Sequence, residues 1–251
     1  MSDNATPVDD YVAAAVVPGQ VDYYALLFAA GDQRERLSQG IALGKVILNI
    51  PRQQTESQIR QLKLHWWLEE IQRCEKGEPR HPLTRELSPA TATTEWLRPL
   101  QRLVRGALDD VEQQPLTSLQ LLLPYAHHVG ERQALLATLH PSHNDDDLAS
   151  ARAAGVGIAL TDLLAGDDPR LDPTFFDVTG AELTRAQVAE VAMTHFDAMA
   201  GEPAQPIIAM QASLHQQKLQ RLAANHFADD GSVHPLRLLW QAWRQGRKLR
   251  A

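Results

Sequence analysis

A single cysteine, Cys74, stands in a chain of 251 residues. It excludes an internal disulfide and any zinc site built on thiolates, and it fits a reducing compartment. Positive charge is also scarce, with 24 Lys and Arg against 31 Asp and Glu and a net charge of −7. That balance argues against nucleic acid as a partner, because a protein that neutralises phosphates carries a basic face. The opening MSDNATPVDDYV has acids where a secretory leader needs basic residues, so a cytoplasmic protein is expected. No run approaches the roughly 18 apolar residues that span a bilayer. The longest candidate, Leu119 to Leu123, is halted by Pro124. Gly-x-Ser-x-Gly, the P-loop and Gly-x-Gly-x-x-Gly are missing, which removes the nucleophilic hydrolase, kinase and dinucleotide-binding readings. Runs of alternating β-branched residues are missing too, and with them any sheet.

What remains is helical period. Leu64, Trp67, Leu68, Ile71 and Cys74 form one stripe, and Ile59, Leu62 and Trp66 form a second beside it. A helix apolar over so wide an arc is covered from more than one side. Thr55 with Gln58 reads as a capping box at its start, and Gly77 with Pro79 marks its stop. Asn144 before Asp145, Asp146 and Asp147 reads as an N-cap followed by acids that suit the helix dipole. Thr184 with Gln187 opens another helix, whose stripe runs through Val188, Val191, His195 and Met199. Most prolines fall between such segments, whereas Pro99 and Pro124 fall inside them and are expected to bend them. The expectation is an all-α fold: one domain of eight to ten helices over residues 16–251, preceded by a frayed stretch over residues 1–15.

Several groupings invite a site and have a plainer explanation. In HPSHNDDD, His140, His143 and the three acids count like metal ligands, but Pro141 breaks the chain and the dipole accounts for the acids. Cys74 has no base at a readable spacing and suits a small buried hydrophobe. Trp66 and Trp67 lie about 100° apart on their helix, so one can pack in the core while the other lines a cavity. The C-terminal stretch 236–250 carries Arg237, Arg244, Arg247, Lys248 and Arg250 together with Trp240 and Trp243. It reads either as a docked last helix with solvated arginines or as a peripheral contact with an anionic membrane.

The run QIRQLKLHWWLEEIQRCEKGEPRHPLTREL, from Gln58 to Leu87, resembles the squalene/phytoene synthase family, whose members carry a Trp-Trp-like helix followed by a Gly-x-Pro, His-Pro turn. YYALLFAAGDQRERLSQGIALGKVILNI is similar to the family's opening helices. LVRGALDDVEQQPLTSLQLLLPYAHHVG and AAGVGIALTDLLAG are similar to its middle stretch and to the helix of its second aspartate motif. HPLRLLWQAWRQGRKLR is similar to its closing helix, so the likeness runs from Val21 to the C-terminus. The branch it most resembles is the short, divergent one that includes mitochondrial complex I assembly factors. The resemblance implies the all-α isoprenoid synthase fold.

It also implies a chemistry to look for. Active members join two prenyl diphosphates head to head, and Mg²⁺ neutralises the departing diphosphate. Those ions need carboxylates, most economically Asp-x-x-x-Asp on each of two facing helices, because positions i and i+4 share a face. The first motif should fall in GIALGKVILNI, which has no carboxylate and instead presents Lys45 and Asn49. The second should fall in LTDLLAGDDPRLD, where Asp162, Asp167, Asp168 and Asp172 remain among Gly166, Pro169 and Pro173. Such a cluster of Asp, Gly and Pro reads as a helix exit.

The expectation is therefore a family member without catalysis and without a cofactor, binding a lipid-like ligand or a protein partner. The alternative is an active Mg²⁺-dependent prenyltransferase, with Asp162, Asp167 and Asp168 as catalytic candidates and Asp162, Asp168 and Asp172 as metal ligands. Trp66, Trp67, Tyr125 and Thr161 are the candidates to line its cavity. Convergence of at least three of Asp162, Asp167, Asp168, Asp172, Glu69 and Glu70 on one cavity separates the two readings.

Overall fold

The computed structural model describes residues 6–29, 31–90, 93–166, 183–199, 206–228 and 235–248. Among these residues there are eleven helices and no strand: α1 Pro7–Ala15, α2 Val21–Leu26, α3 Gly31–Asn49, α4 Ser57–Glu75, α5 Pro82–Ala90, α6 Leu97–Asp109, α7 Leu119–Thr138, α8 Asp145–Ala165, α9 Arg185–Asp197, α10 Pro206–Ala224 and α11 Pro235–Lys248. The centre is the pair α7 and α8. Helices α3 and α6 pack on α7, α9 and α10 pack on α8, and α4 lies on α6. Helices α1 and α5 flank α3, while α2 and α11 close over α10.

Helix α8 shows why the bundle takes this form. After its acidic first turn it is apolar on most sides, Arg152 and Asp162 apart, and Ala151, Ala154, Val156, Ile158, Ala159, Leu160 and Leu163 are buried. A helix of that kind needs neighbours on several sides. By length and a mean hydropathy of 1.4 over 18 residues it also meets the test for a membrane span, which the sequence reading did not anticipate. Here 67% of that window is buried inside the protein.

Local signals set most boundaries. The Asn144 side chain accepts from Asp147 N at 2.9 Å, and the Asp147 carboxylate accepts from Asn144 N at 3.0 Å. Thr184 and Gln187 make the same reciprocal pair, at 3.2 and 2.8 Å. Helix α4 ends at Gly77, whose φ of +76° admits glycine readily. Glu78 N then reaches Arg73 O at 2.8 Å and Gly77 N reaches Cys74 O at 3.0 Å, which satisfies two of the last carbonyls.

Other expectations are corrected. Residues 1–15 were expected to fray, yet Pro7–Ala15 is helical, opened by a capping box between Thr6 and Asp9 with Pro7 at the first position. No cap forms between Thr55 and Gln58. Helix α4 starts at Ser57 after Glu56, because Arg60 donates to the Gln53 and Thr55 carbonyls and holds the preceding turn away from a cap. Pro99 lies in the first turn of α6, where a missing N–H leaves nothing unmade and no bend is required. Pro89 lies inside α5 and Pro235 opens α11.

Helices α7 and α8 cross at Gly130 and Gly155 with almost no space between backbones. A Cβ at residue 155 would meet the Gly130 carbonyl oxygen at 2.3 Å. Since that neighbour is backbone, Gly155→Ala must push the two helices apart, at a cost of about 1 to 3 kcal/mol as for other overpacked sites. Urea unfolding of the variant is the measurement, and unchanged stability would mean the crossing is looser than described.

Candidate functional site

A cavity of about 460 Å³ lies between α3, α7 and α8. Its wall is written in two helical stripes: Tyr125, Val129, Arg132 and Gln133 on α7, and Gly155, Ile158, Ala159 and Asp162 on α8. The spacings i, i+4, i+7 and i+8 on α7, and i, i+3, i+4 and i+7 on α8, put each set on one face. Leu48 comes from α3, and Arg52 from the turn after it. The Arg52 guanidinium donates to the Tyr125 hydroxyl at 2.9 Å.

Asp162 is the acid on this wall, and His215 and Lys218 already hold it. His215 Nε2 is 3.4 Å from its Oδ1, and Lys218 Nζ is 3.5 Å from the same oxygen. Burial pushes the carboxyl up, but His215, Lys218 and Arg132 together outweigh burial and hold it well below the usual carboxylate range. The group is thus a fixed anion, matched by protein cations.

The facing helix, α3, presents an ammonium. Lys45 Nζ lies 2.8 Å from Asp22 Oδ2 and donates to the Ala15 carbonyl at 2.6 Å and to the Gln20 side chain at 3.1 Å. Asp22 is buried, and its Oδ1 accepts from Gln211 Nε2 at 2.6 Å. Arg132 comes within 3.8 Å of Asp22, and its stem passes over Gly44, where a Cβ would sit 2.8 Å from Arg132 Cγ. Burial would raise the Asp22 pKa, yet Arg132 and Lys45 more than offset it and lower the group below its ordinary value. From Lys45 to Lys218 the region is a chain of paired charges.

The other expected residues fall elsewhere. Thr161 is fully buried and its hydroxyl donates to the Gly157 carbonyl at 2.7 Å. Trp67 is buried and Trp66 is partly exposed; their rings meet edge to face with centroids 5.4 Å apart. Both line a separate surface groove of about 440 Å³ with Val46, Ile50, Leu62 and His81. Glu69 pairs with Arg73 at the surface, and Glu70 is enclosed by Arg73, Thr84 and the backbone of residues 80 and 81. Asp167, Asp168 and Asp172 lie outside the described residues. Cys74 is buried, and burial together with Glu70 pushes its thiol up, which disfavours the nucleophilic thiolate. His140 and His143 meet no acid cluster: His143 reaches Glu95 at 2.9 Å, and Asp147 serves the cap of α8. On α11, Leu236, Leu239, Trp240 and Trp243 face outward, with Arg244 over the Trp240 ring and Arg247 over the Trp243 ring.

Magnesium does not fit the donors described here. Among the described residues no three of His, Cys, Asp and Glu converge as ligands. Asp162 Oδ1 is taken up by Lys218 and His215, and the described part of α3 lines the cavity with Leu48 and offers it no carboxylate. The residues that sequence reasoning missed are Asp22, Arg132, Gln133, His215 and Lys218. Arg132 and Gln133 had a signal, since they continue the stripe from Tyr125 and Val129. Asp22 had none, because its partner Gln211 is 189 positions away.

Folded all-α around a cavity between two long helices, the chain has the isoprenoid synthase fold. The crystal structure of a dehydrosqualene synthase in complex with ligand superposes with a TM-score of 0.73, covering 97% of this chain and 96% of that one at 16% identity. The model of the squalene/phytoene synthase family matches residues 20–166. The chain belongs to the squalene/phytoene synthase family. A search among curated proteins gave no match.

Proposed function

We propose that this protein is a non-catalytic member of the family that binds a lipid-like ligand in the cavity between α3, α7 and α8. The observation that carries the reading is the Lys45–Asp22 ion pair, which stands on α3 where the resemblance requires opposed carboxylates. Pulling diphosphate from a prenyl chain needs concentrated positive charge aimed at the leaving group. Of the cations near this cavity, Arg132 is engaged by Asp22 and Lys218 by Asp162, while Arg52 donates to the Tyr125 hydroxyl. A fold shared with enzymes does not by itself confer their activity. The cavity survives with apolar walls at Leu48, Val129, Ile158 and Leu163, and its volume lies within the range of small-ligand sites.

The test is to incubate the full chain with farnesyl or geranylgeranyl diphosphate and Mg²⁺. No pyrophosphate above the protein-free control is expected, and no condensed hydrocarbon. Pyrophosphate release that disappears in Asp162→Ala would replace this reading with that of an active prenyltransferase.

A further inference from the structure

Helix α11 has two apolar faces, and the bundle uses one of them. Leu238, Ala242 and Gly246, at i, i+4 and i+8, are turned inward. The helix packs on α10 and α2, and Gly246 sits so near Phe28 that a Cβ would meet its ring at 2.9 Å. Away from the bundle stand Leu236, Leu239, Trp240 and Trp243, between 39% and 69% exposed. They include two of the chain's five tryptophans. Single exposed apolar side chains are ordinary, but a run of four on one helix face marks a contact surface.

Charge says what that surface meets. Helix α11 carries Arg237, Arg244, Arg247 and Lys248 and no acid. Arg244 lies 5.6 Å over the Trp240 ring and Arg247 5.1 Å over the Trp243 ring, so cation and aromatic are presented together. Helix α10 adds Lys218 and Arg221 and no acid, while the acid of α2, Asp22, is buried against Lys45. Asp229 and Asp230, in the connection from α10 to α11, lie outside the described residues. The three helices thus present a basic face in a chain whose net charge is −7. Beyond about 8 Å physiological salt screens the remaining charge, so the local face governs what approaches.

We propose that α11 seats the protein on an anionic lipid surface. Leu236, Leu239, Trp240 and Trp243 enter the headgroup region, and Arg237, Arg244 and Arg247 meet lipid phosphates. Helices that lie in a membrane interface divide their faces in this way, with Trp and Leu on one side and cations beside them. An indole suits that depth because its body is apolar and its N–H is polar. A second copy meeting its twin symmetrically across α11 would set arginines against arginines with no acid on the helix to separate them. None of the residues lining the cavity comes from α11, so the proposal stands apart from what the cavity holds.

The experiment sediments the purified full chain with vesicles of phosphatidylcholine alone, or of phosphatidylcholine and phosphatidylglycerol in equal parts. Binding to the mixed vesicles is expected to be about a hundredfold tighter, at about fivefold for each arginine near the surface. It should weaken between about 0.1 M and about 0.5 M salt. Arg237→Gln, Arg244→Gln and Arg247→Gln together should remove the preference. Trp240→Gln with Trp243→Gln should weaken binding by at least about tenfold while leaving its salt dependence. Brominated lipid should quench the parent's tryptophan emission more than that of the Trp variant. The changed side chains are exposed, so both variants should melt with the parent, which separates a lost contact from a lost fold. Failure of the parent to bind the mixed vesicles, or equal binding to both kinds, would overturn the proposal without recourse to any variant. Variants that bind as the parent does would overturn it too. A dimer seen by light scattering and lost in the Trp variant, with no vesicle binding, would replace the lipid surface with a second copy of the chain.

Discussion

Lys45→Met is expected to lower the stability of the folded chain by about 3 kcal/mol at neutral pH, the lower end of the cost of removing one partner from a buried ion pair. The lower end applies because Asp22 keeps Gln211 at 2.6 Å and Arg132 at 3.8 Å after Lys45 has gone. The loss has a pH signature. The Asp22 carboxyl lies below its ordinary value of 3.8 in the folded chain, so the unfolded chain binds the proton more readily. Its stabilising effect is complete above that ordinary value and fades as pH falls through the lowered native one. Denaturant unfolding at neutral pH and again near pH 3 is the measurement. The parent should lose more stability on acidification than Asp22→Asn does. In the double variant, Asp22→Asn with Lys45→Met should cost less than the two single changes added together. A Lys45→Met protein as stable as the parent would show that the pair contributes nothing, and the electrostatic reading of α3 would go with it.

Glu70→Leu is expected to cost about 3 to 5 kcal/mol, because it strands a set of buried donors around a lost charge. Glu70 has no exposed surface, and its Oε1 accepts from Arg80 N at 2.7 Å, His81 N at 2.8 Å and the Thr84 hydroxyl at 2.6 Å. Its Oε2 accepts from Arg73 Nε at 2.9 Å. Burial raises this carboxyl, but Thr84, His81, Arg73 and Arg80 outweigh it and hold the group ionised. The side chain therefore ties the turn after α4 back onto that helix. Glu70→Gln keeps an acceptor and loses the charge opposite Arg73, so its loss should fall between that of Leu and zero. Thermal unfolding of both variants orders them, and a Leu variant no less stable than the Gln variant would show that the turn is held by something else.

The Trp-Trp helix and its turn show how much the sequence could say. Period, composition and the glycine stop were legible because each acts within a few residues of itself. The same local signal stands at Thr6, where Pro7 and Asp9 spell a helix start, but the reading of residues 1–15 as frayed passed over it. It fails at Thr55, where Arg60 bonds to the carbonyls of an adjacent turn and no spacing rule weighs that competition. In the site, Asp162 could be named because it lies in a motif, and Lys45 because it stands where acids belong. Their meaning could not be read, since it depends on His215 and Asp22, which reach them only through packing of α10 and α2. Trp66 and Trp67 mark the limit of that logic: helical spacing sets one toward the core and one outward, and only the bundle decides which groove they line.

The seat of Lys45 has a consequence for placing an acid on α3. Placing an aspartate there would set two carboxylates side by side at residues 22 and 45, one of them already buried. At least one would be driven to keep its proton, and a protonated acid is a poor ligand for a divalent ion. A pair of ionised carboxylates cannot be set on this helix by one substitution; Asp22 would have to change first, and with it the contact that holds Gln211.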